Sequence, residues 1–553
     1  MIDIQHLTVR YKQTDAPVLA DVNAVINEGQ LLLVTGRTGS GKSTLLGALN
    51  GHVPRFTGGI INGRVLVDGR DTADYHPNEL ADVIGVVAQD PARAFVADTV
   101  EAELAFGLEQ LGLAPAVMRT RVEETMDILG LADLRDRALT SLSGGQQQRV
   151  AIGAVLATGV RALVLDEPTS ALDPVSSEDV LAALMRLVHD LGLLVIIAEH
   201  RLERVIAYAD QLMLVESGRV RVGDPAQMLA ESALVPPLVE LGRVADFPQV
   251  PLSVRQARAM AGGLRHRLAI IGQPASTFPR QPVVSKMPIG SSATATTSGP
   301  ANLHLANVSL GYGEQLVVDN CSWQAQAGQV TVLMGRNGSG KSTLLLALAG
   351  VMAPRRGEIR LGEQDLTALS GRARRRALRL VPQQAGDLLY LDSVAAECAV
   401  ADRDADRPAG RCAAILESLV PGIPAGRHPR DLSEGQRLAL VLAIQLTPEP
   451  AAIWLDEPTR GLDYPAKAAL AAQLAALAAA GRQVGVVTHD VEFAAAVADQ
   501  IILLSAGEVI AQDSAQAVLG SSALFASQVA KVLYPAGWLT PFQVGQALAG
   551  DHD

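Results

Sequence analysis

Three cysteines in 553 residues, Cys321, Cys398 and Cys412, stand far apart and never in CxxC spacing. They form neither a disulfide framework nor a zinc site and read as free thiols of a reducing compartment. Aromatic residues are only 3% of the chain, which leaves few rings for stacking on bases, and the formal net charge is −12. Both features argue against a protein that grips nucleic acid through its overall field. No charge-free apolar run is long enough to cross a bilayer. The Ala-rich stretch from Ala466 to Ala480 is short and contains Lys467, so it reads as a packed helix. The opening MIDIQHLTVRY alternates like a strand and is not a signal peptide. Any work at a membrane therefore requires partners to hold the chain there.

What the chain does have is a repeat. It is 48% hydrophobic and too long for one core. GRTGSGKSTLL at 36–46 returns as GRNGSGKSTLL at 335–345, and LVLDEPTSALD at 163–173 returns as IWLDEPTRGLD at 453–463. LSGGQ at 142–146 returns as LSEGQ at 432–436, and each copy ends a strand-like run in His, His200 and His489. Even the tails match, from Ser232 and from Ser522. The interval between phosphate loop and LSxGQ is shorter in the second copy. Two domains are expected, 1–265 and 301–553, joined by a Pro-, Ser-, Thr- and Ala-rich flexible linker at 266–300. About 35 such residues span roughly 30 Å.

Short Val/Ile/Leu runs alternating with helical segments indicate an α/β fold with buried parallel strands. LLLVTG and VTVLMG each lead into G-x-x-x-x-G-K-[ST] and then a helix, the context a phosphate-binding P-loop requires. Gly36, Gly39, Gly41 and Gly335, Gly338, Gly340 let backbone N–H groups curl around phosphate at a helix N-terminus. Lys42 and Lys341 suit the β- and γ-phosphates, and Ser43 and Ser342 suit Mg²⁺. Asp166 and Asp456 end apolar strands, where a carboxylate meets the same Mg²⁺, and Glu167 and Glu457 follow as candidates to polarise the attacking water.

The order P-loop, LSGGQ, LVLDEP and His-ended strand resembles the nucleotide-binding subunits of ABC transporters over nearly the whole chain outside the linker. The resemblance implies two tandem ABC ATPase domains, each a RecA-like parallel-sheet core with an antiparallel β subdomain and a helical subdomain, using ATP and Mg²⁺. It places Tyr11 and Tyr312 on adenine, and Thr44 and Thr343 beside the phosphates. Gln89 and Gln383 become Q-loop residues that contact Mg²⁺ and couple to membrane partners. Asp173 and Asp463 become D-loop residues, and His200 and His489 become switch histidines on the γ-phosphate. In this family two units pair head to tail, so Ser143, Gly145 and Gln146 would cover the nucleotide on Lys341. Ser433, Gly435 and Gln436 would cover that on Lys42, and the fusion makes the pseudo-dimer permanent.

QDPARAFVADTVEAELAFGLEQLGL after the first Q-loop is similar to the energy-coupling factor (ECF) branch, which powers uptake of vitamins and metal ions. AEHRLERV at 198–205 resembles the fused ATPase of systems for thiamine and its hydroxymethylpyrimidine precursor. The expected partners are a transmembrane scaffold and a substrate-binding membrane subunit, with this chain peripheral on the cytoplasmic face. QQAGDLLYLDSVAAECAVA in the second half departs from that pattern. A soluble factor acting on ribosomes would carry a charged, basic connector, which this linker lacks, and a DNA-repair ABC protein would carry zinc cysteines or long coiled coils. Tandem ATPases of sugar importers share the layout, but the stretch after the Q-loop fits them less well.

Two local expectations remain. GRARRRALR at 371–379 reads as a solvated helix face. Glu434 replaces Gly144: aimed at phosphate from ~5 Å it would cost about 3 kcal/mol per charge pair, whereas in the first turn of a helix opened by the capping-box spacing Ser433-x-x-Gln436 it is favourable by ~0.3–1 kcal/mol. The expected outcome is a tuned site. Arg149 also has Ala439 opposite it, with Arg437 displaced by two positions.

Overall fold

A computed structural model describes residues 1–12, 16–272 and 301–550. The larger part of the expected linker, 273–300, and the last residues of the second expected domain, 551–553, lie outside the described residues. The chain forms two compact units, Met1–Ala257 and Arg258–Asp553.

In the first unit a six-stranded sheet runs in the order Ile84–Val87, Ala162–Asp166, Leu194–Ala198, Leu31–Thr35, Gln211–Glu216 and Arg219–Gly223. The first five strands are parallel and the last is antiparallel. Leu31–Val34, Ala162–Leu165 and Leu194–Ala198 are fully buried, as strands covered on both faces must be, which is why they read as unbroken apolar runs. The second unit repeats the order with Leu378–Val381, Ala452–Asp456, Gln483–Val487, Val330–Gly335, Gln500–Ser505 and Glu508–Ser514. This arrangement sends four of the motifs to one place. The P-loop, Asp-Glu pair, switch His and Q-loop each follow the carboxyl end of a parallel strand, where ligands of open α/β sheets bind.

A four-stranded antiparallel sheet flanks each core, Leu19–Ile26, Ile2–Arg10, Ile60–Val67 and Arg70–Asp71 in the first unit. Its counterpart is Gln315–Ala325, Leu303–Tyr312, Arg356–Leu361 and Gln364–Asp365. The helical subdomain consists of Val100–Gln110, Pro115–Leu129 and Gly144–Ala157 in the first unit, and of Val394–Asp404, Arg411–Leu419 and Glu434–Leu446 in the second. Its middle helix has 15 residues in one and 9 in the other, which carries part of the contraction seen in the sequence; the rest falls between the P-loop and the Q-loop, Gly36 to Gln89 against Gly335 to Gln383. Two cysteines of this subdomain, Cys398 and Cys412, and Cys321 of the antiparallel sheet are all free and buried.

The Ala-rich segment is the helix Tyr464–Ala479, packed through Leu470, Leu474 and Leu477. No helix among the described residues is long and apolar enough to cross a membrane. Two expectations are corrected. The helix Gly262–Ile271 runs across the expected domain-to-linker boundary at 265, because Leu264 and Leu268, one turn apart, are both buried and continue its apolar face. The Arg run is not uniformly solvated: Arg372, Arg375 and Arg376 are exposed, but Arg374 is buried. Its guanidinium donates to the carbonyls of Ala347 and Leu348, satisfying the C-terminus of the P-loop helix Lys341–Ala349.

Candidate functional site

Each P-loop is built by backbone geometry that only glycine supports at its first position. A Cβ on Gly36 would lie 2.2 Å from the Val215 carbonyl oxygen, and one on Gly335 2.2 Å from that of Leu504. Lys42 opens the helix Lys42–Leu49, and its ammonium donates to the carbonyls of Gly36 at 2.9 Å and Arg37 at 3.2 Å. Lys341 does the same with Gly335 and Arg336, both at 2.8 Å. Both lysines are nearly buried. The result is a concave run of N–H donors with a fixed cation inside it, a site for a polyphosphate.

Ser43 Oγ donates to Asp166 Oδ2 at 3.4 Å. A hydroxyl and a carboxylate side by side at the P-loop are the oxygen donors that Mg²⁺ takes together with phosphate, so the residues fit the ion. Burial raises the Asp166 carboxyl above its usual range against the pull of Lys42 and the Ser43 hydroxyl. Asp456 is pushed up to about 6 by burial and then by Glu457, with Lys341 and Ser342 opposing.

The two Asp-Glu pairs diverge at the glutamate. Glu167 and Glu457 both adopt the left-handed backbone region, φ 49° and 46°, a strained conformation for a side-chain-bearing residue. Glu167 accepts from Gln89 Nε2 at 2.9 Å, and its other oxygen lies 3.3 Å from His200 Nε2. Burial raises it to about 8, reinforced by the nearby Glu199 and Asp166 and opposed by Lys42 and Arg201. Glu457 accepts from Thr488 Oγ1 at 3.1 Å and from the His489 N–H at 3.3 Å, and its other oxygen lies 2.8 Å from His489 Nδ1. The two switch histidines thus meet their glutamates through different ring nitrogens. Gln383 follows its strand as Gln89 does and is exposed.

The aromatic positions differ as well. Tyr11 is half-buried with its hydroxyl 3.3 Å from Thr44 Oγ1, whereas Tyr312, ending the strand Leu303–Tyr312, is 54% exposed. Asp173 and Asp463 each cap a helix, accepting from the N–H of Ser176 and of Ala466 at 3.0 Å.

Both signature loops close the expected capping box. Ser143 Oγ accepts from the Gln146 N–H at 3.3 Å while Gln146 Oε1 accepts from the Ser143 N–H at 2.9 Å. The Ser433 and Gln436 distances are 3.3 and 3.1 Å. Glu434 occupies the first turn, half-exposed, with Oε1 2.6 Å from Arg437 Nη1. The displaced arginine is therefore its counter-ion, and it also donates to the carbonyls of Arg430 and Leu432 at 3.2 and 3.1 Å. A neighbouring exchange makes room: a Cβ on Gly461, where the first unit has Ala171, would lie 3.2 Å from Glu434 Cγ. Gly144 with Ala171 becomes Glu434 with Gly461.

Sequence reasoning missed a polar layer behind these motifs. In the first unit it consists of Glu199 and Arg204, in the second of Thr488 and a buried pair, Lys467 Nζ to Asp490 Oδ2 at 2.7 Å. The signal was a polar or charged residue on either side of each His, Glu199 and Arg201 in the first copy and Thr488 and Asp490 in the second.

A parallel sheet whose carboxyl edge gathers a P-loop, a strand-ending Asp-Glu pair and a His defines a nucleotide-hydrolysing P-loop unit, here present twice. The ABC transporter family model matches residues 19–170 and 318–460, and the chain belongs to that family; it is an ATP-binding protein and an ATPase. It is 49% identical to a Streptomyces avermitilis protein named as an ABC transporter ATP-binding protein, over 99% of this chain and 100% of that one. A Streptomyces coelicolor protein so named is 51% identical over 99% and 100%, and one from Methanosarcina mazei is 31% identical over 92% and 88%. Among solved structures, CbiO1 from Clostridium perfringens, described as part of the ABC transporter complex CbiONQ, is 32% identical, with 42% of this chain and 90% of that chain covered and a TM-score of 0.38. A TM-score that low carries no inference.

Proposed function

We propose that this chain is the ATP-hydrolysing subunit of an ECF-type importer, driving uptake of a vitamin or metal ion through membrane partners. The observation that carries the reading is the loop after each Q-loop. Glu103, buried in the helix Val100–Gln110, accepts from the N–H groups of Val96 and Ala97 at 2.9 and 2.8 Å. Glu397 holds Tyr390 and Leu391 in the same way at 2.6 and 2.7 Å. The loops so fixed leave Val96 64% and Tyr390 80% exposed. Two buried carboxylates spent on presenting an apolar tip suit a docking surface for a membrane subunit, and the tips differ, as the divergence between the two sequence stretches leads one to expect. The similarity of AEHRLERV to the thiamine-precursor branch supports that solute class.

In this reading ATP binds with its phosphates on Lys42 and Lys341. Ser43 with Asp166, and Ser342 with Asp456, would hold Mg²⁺, with Gln89 and Gln383 alongside; the ion supplies neutralisation of phosphate charge. Glu167 and Glu457 orient and deprotonate the attacking water, and His200 and His489 donate to the γ-phosphate. Tyr11 and Tyr312 flank adenine. Following the family resemblance, each half lends its LSxGQ to the other half's nucleotide, and closure over ATP moves partners docked at the Q-loops on the cytoplasmic membrane face.

The test is affinity purification of the Glu167→Gln/Glu457→Gln chain with ATP, from detergent-solubilised membranes and from the soluble fraction of the same cells. Recovery of a six-helix substrate-binding subunit with a transmembrane scaffold is the expected result. Strong association with ribosomes defeats the transporter reading, and a permease with a periplasmic receptor replaces the ECF assignment.

A further inference from the structure

Glu167 holds a left-handed backbone conformation at the start of a turn, and such strain persists only where the surroundings over-determine it. The N–H of Glu167 donates to the Ala198 carbonyl at 2.9 Å, and the turn continues through the Ser170 N–H to the Glu167 carbonyl at 3.2 Å. Behind the turn lies Glu199, the residue between that carbonyl and His200, fully buried and so far without a role. Its Oε1 accepts from both the N–H and the hydroxyl of Thr169, at 3.0 and 2.5 Å. On the other side Arg204 Nη1 donates to the carbonyls of Thr169 and Leu172, at 2.5 and 3.3 Å, and to Ser177 Oγ at 2.9 Å. Thr169 is wholly buried, so its N–H, hydroxyl and carbonyl are all taken by two charged side chains from the segment that carries the switch histidine.

We propose that Glu199 and Arg204 form a clasp that positions Glu167 for hydrolysis by locking the D-loop, 169–173, to the segment carrying His200. They are positioning residues, since neither contacts the reacting atoms. The second unit reaches the same end by another route. Thr488 stands in place of Glu199 and Phe493 in place of Arg204, and there Thr488 and the His489 N–H bond the Glu457 carboxylate itself. One glutamate is held through its turn, the other through its own oxygens. Charged groups placed behind a loop are costly unless they are hydrogen-bonded, and here Glu199 bonds Thr169, while Arg204 bonds Thr169, Leu172 and Ser177 at the start of the following helix. The clasp rests on the role of Glu167 given above and is independent of the membrane partner.

The experiment compares Glu199→Gln, Glu199→Leu and Glu167→Gln in the full chain, measuring kcat, KM and ATP affinity. Glu199→Gln keeps an acceptor for both Thr169 donors and should retain most of the activity. Glu199→Leu should keep ATP affinity within about twofold, because the P-loop is untouched. Its contribution to kcat from the first site should fall about tenfold or more, the scale of a misplaced catalytic group. If Glu199→Leu fails to fold, Arg204→Met, which keeps the aliphatic stem, carries the same comparison. Unchanged kcat beside a low Glu167→Gln overturns the clasp alone. Equal loss in the Gln and Leu variants, or loss of ATP affinity in step with kcat, overturns it too. A silent Glu167→Gln overturns the role of Glu167 and the clasp with it.

Discussion

Replacing Glu167 by Gln should stabilise the nucleotide-free first unit, and the gain should depend on pH in a defined direction. The Glu167 carboxyl is raised from an ordinary 4.5 to about 8, first by burial and then by Glu199 and Asp166, and its side chain is only 12% exposed. Between these values the folded chain binds a proton that the unfolded chain has released, so stability falls as pH rises through this window. It is fully present below pH 4.5 and lost progressively up to about 8. Linkage at ~1.4 kcal/mol per pH unit sets a ceiling of about 5 kcal/mol. Asp166 and Glu199 are raised as well and share the repulsion, so removing one charge should recover ~1–3 kcal/mol. At roughly 2–4 °C per kcal/mol for a unit of this size, the first-unit Tm should rise by about 2–12 °C at about pH 8.5. The amide of the variant keeps a carbonyl oxygen to accept from Gln89, so no compensating loss is expected. Scanning calorimetry of both proteins without nucleotide, from about pH 5 to about 8.5, checks this. A difference that does not grow with pH, or a variant less stable than the parent at the alkaline end, refutes the reasoning.

Arg437→Gln should cost less than ~1 kcal/mol of stability, since the Glu434 pair is half-exposed, yet it should lower ATPase activity by leaving the carboxylate beside the signature loop uncompensated. Glu434→Gly/Arg437→Gln should recover that activity in steady-state assays, and failure to recover would mean that Arg437 acts through its loop carbonyls instead. Lys467→Met should destabilise the second unit by about 3–5 kcal/mol in urea titrations, because it strands Asp490 as a buried charge. Lys467→Met/Asp490→Asn should restore most of the loss, and an undiminished penalty in the double variant would show that packing and not charge is at stake.

The architecture was readable because most strands of the parallel sheet are apolar runs ended by a motif, which gathers the chemistry along one edge. The capping boxes at Ser143 and Ser433 were readable for the same local reason. Glu434 was harder. Spacing gave it a benign place in the helix, but its counter-ion lies three residues on and the glycine that admits it is Gly461, from a different motif. Glu199, Arg204 and Thr488 were not readable as parts of the site. Their neighbours in sequence are the same in kind, yet one holds Thr169 and another holds Glu457, and that choice is made by the packing of strand against turn. Arg374 was hidden within a helix whose other arginines, Arg372, Arg375 and Arg376, are exposed, because its position faces the open carbonyls of Ala347 and Leu348.

One fold written twice with unequal catalytic surroundings is best tested by ATP hydrolysis at about pH 7 in the presence of the proposed membrane partners, comparing Glu167→Gln with Glu457→Gln. Glu457 is held by hydrogen bonds to its own carboxylate and belongs to the Lys341 site, which the proposed head-to-tail pairing would cover with the unmodified LSGGQ. Glu167 is held through its turn, by the Ala198 carbonyl and the Ser170 N–H, and by Gln89 at its carboxylate, and it belongs to the Lys42 site, which the same pairing would cover with LSEGQ. Glu457→Gln should therefore remove the larger share of the activity, and a larger loss in Glu167→Gln would contradict the account.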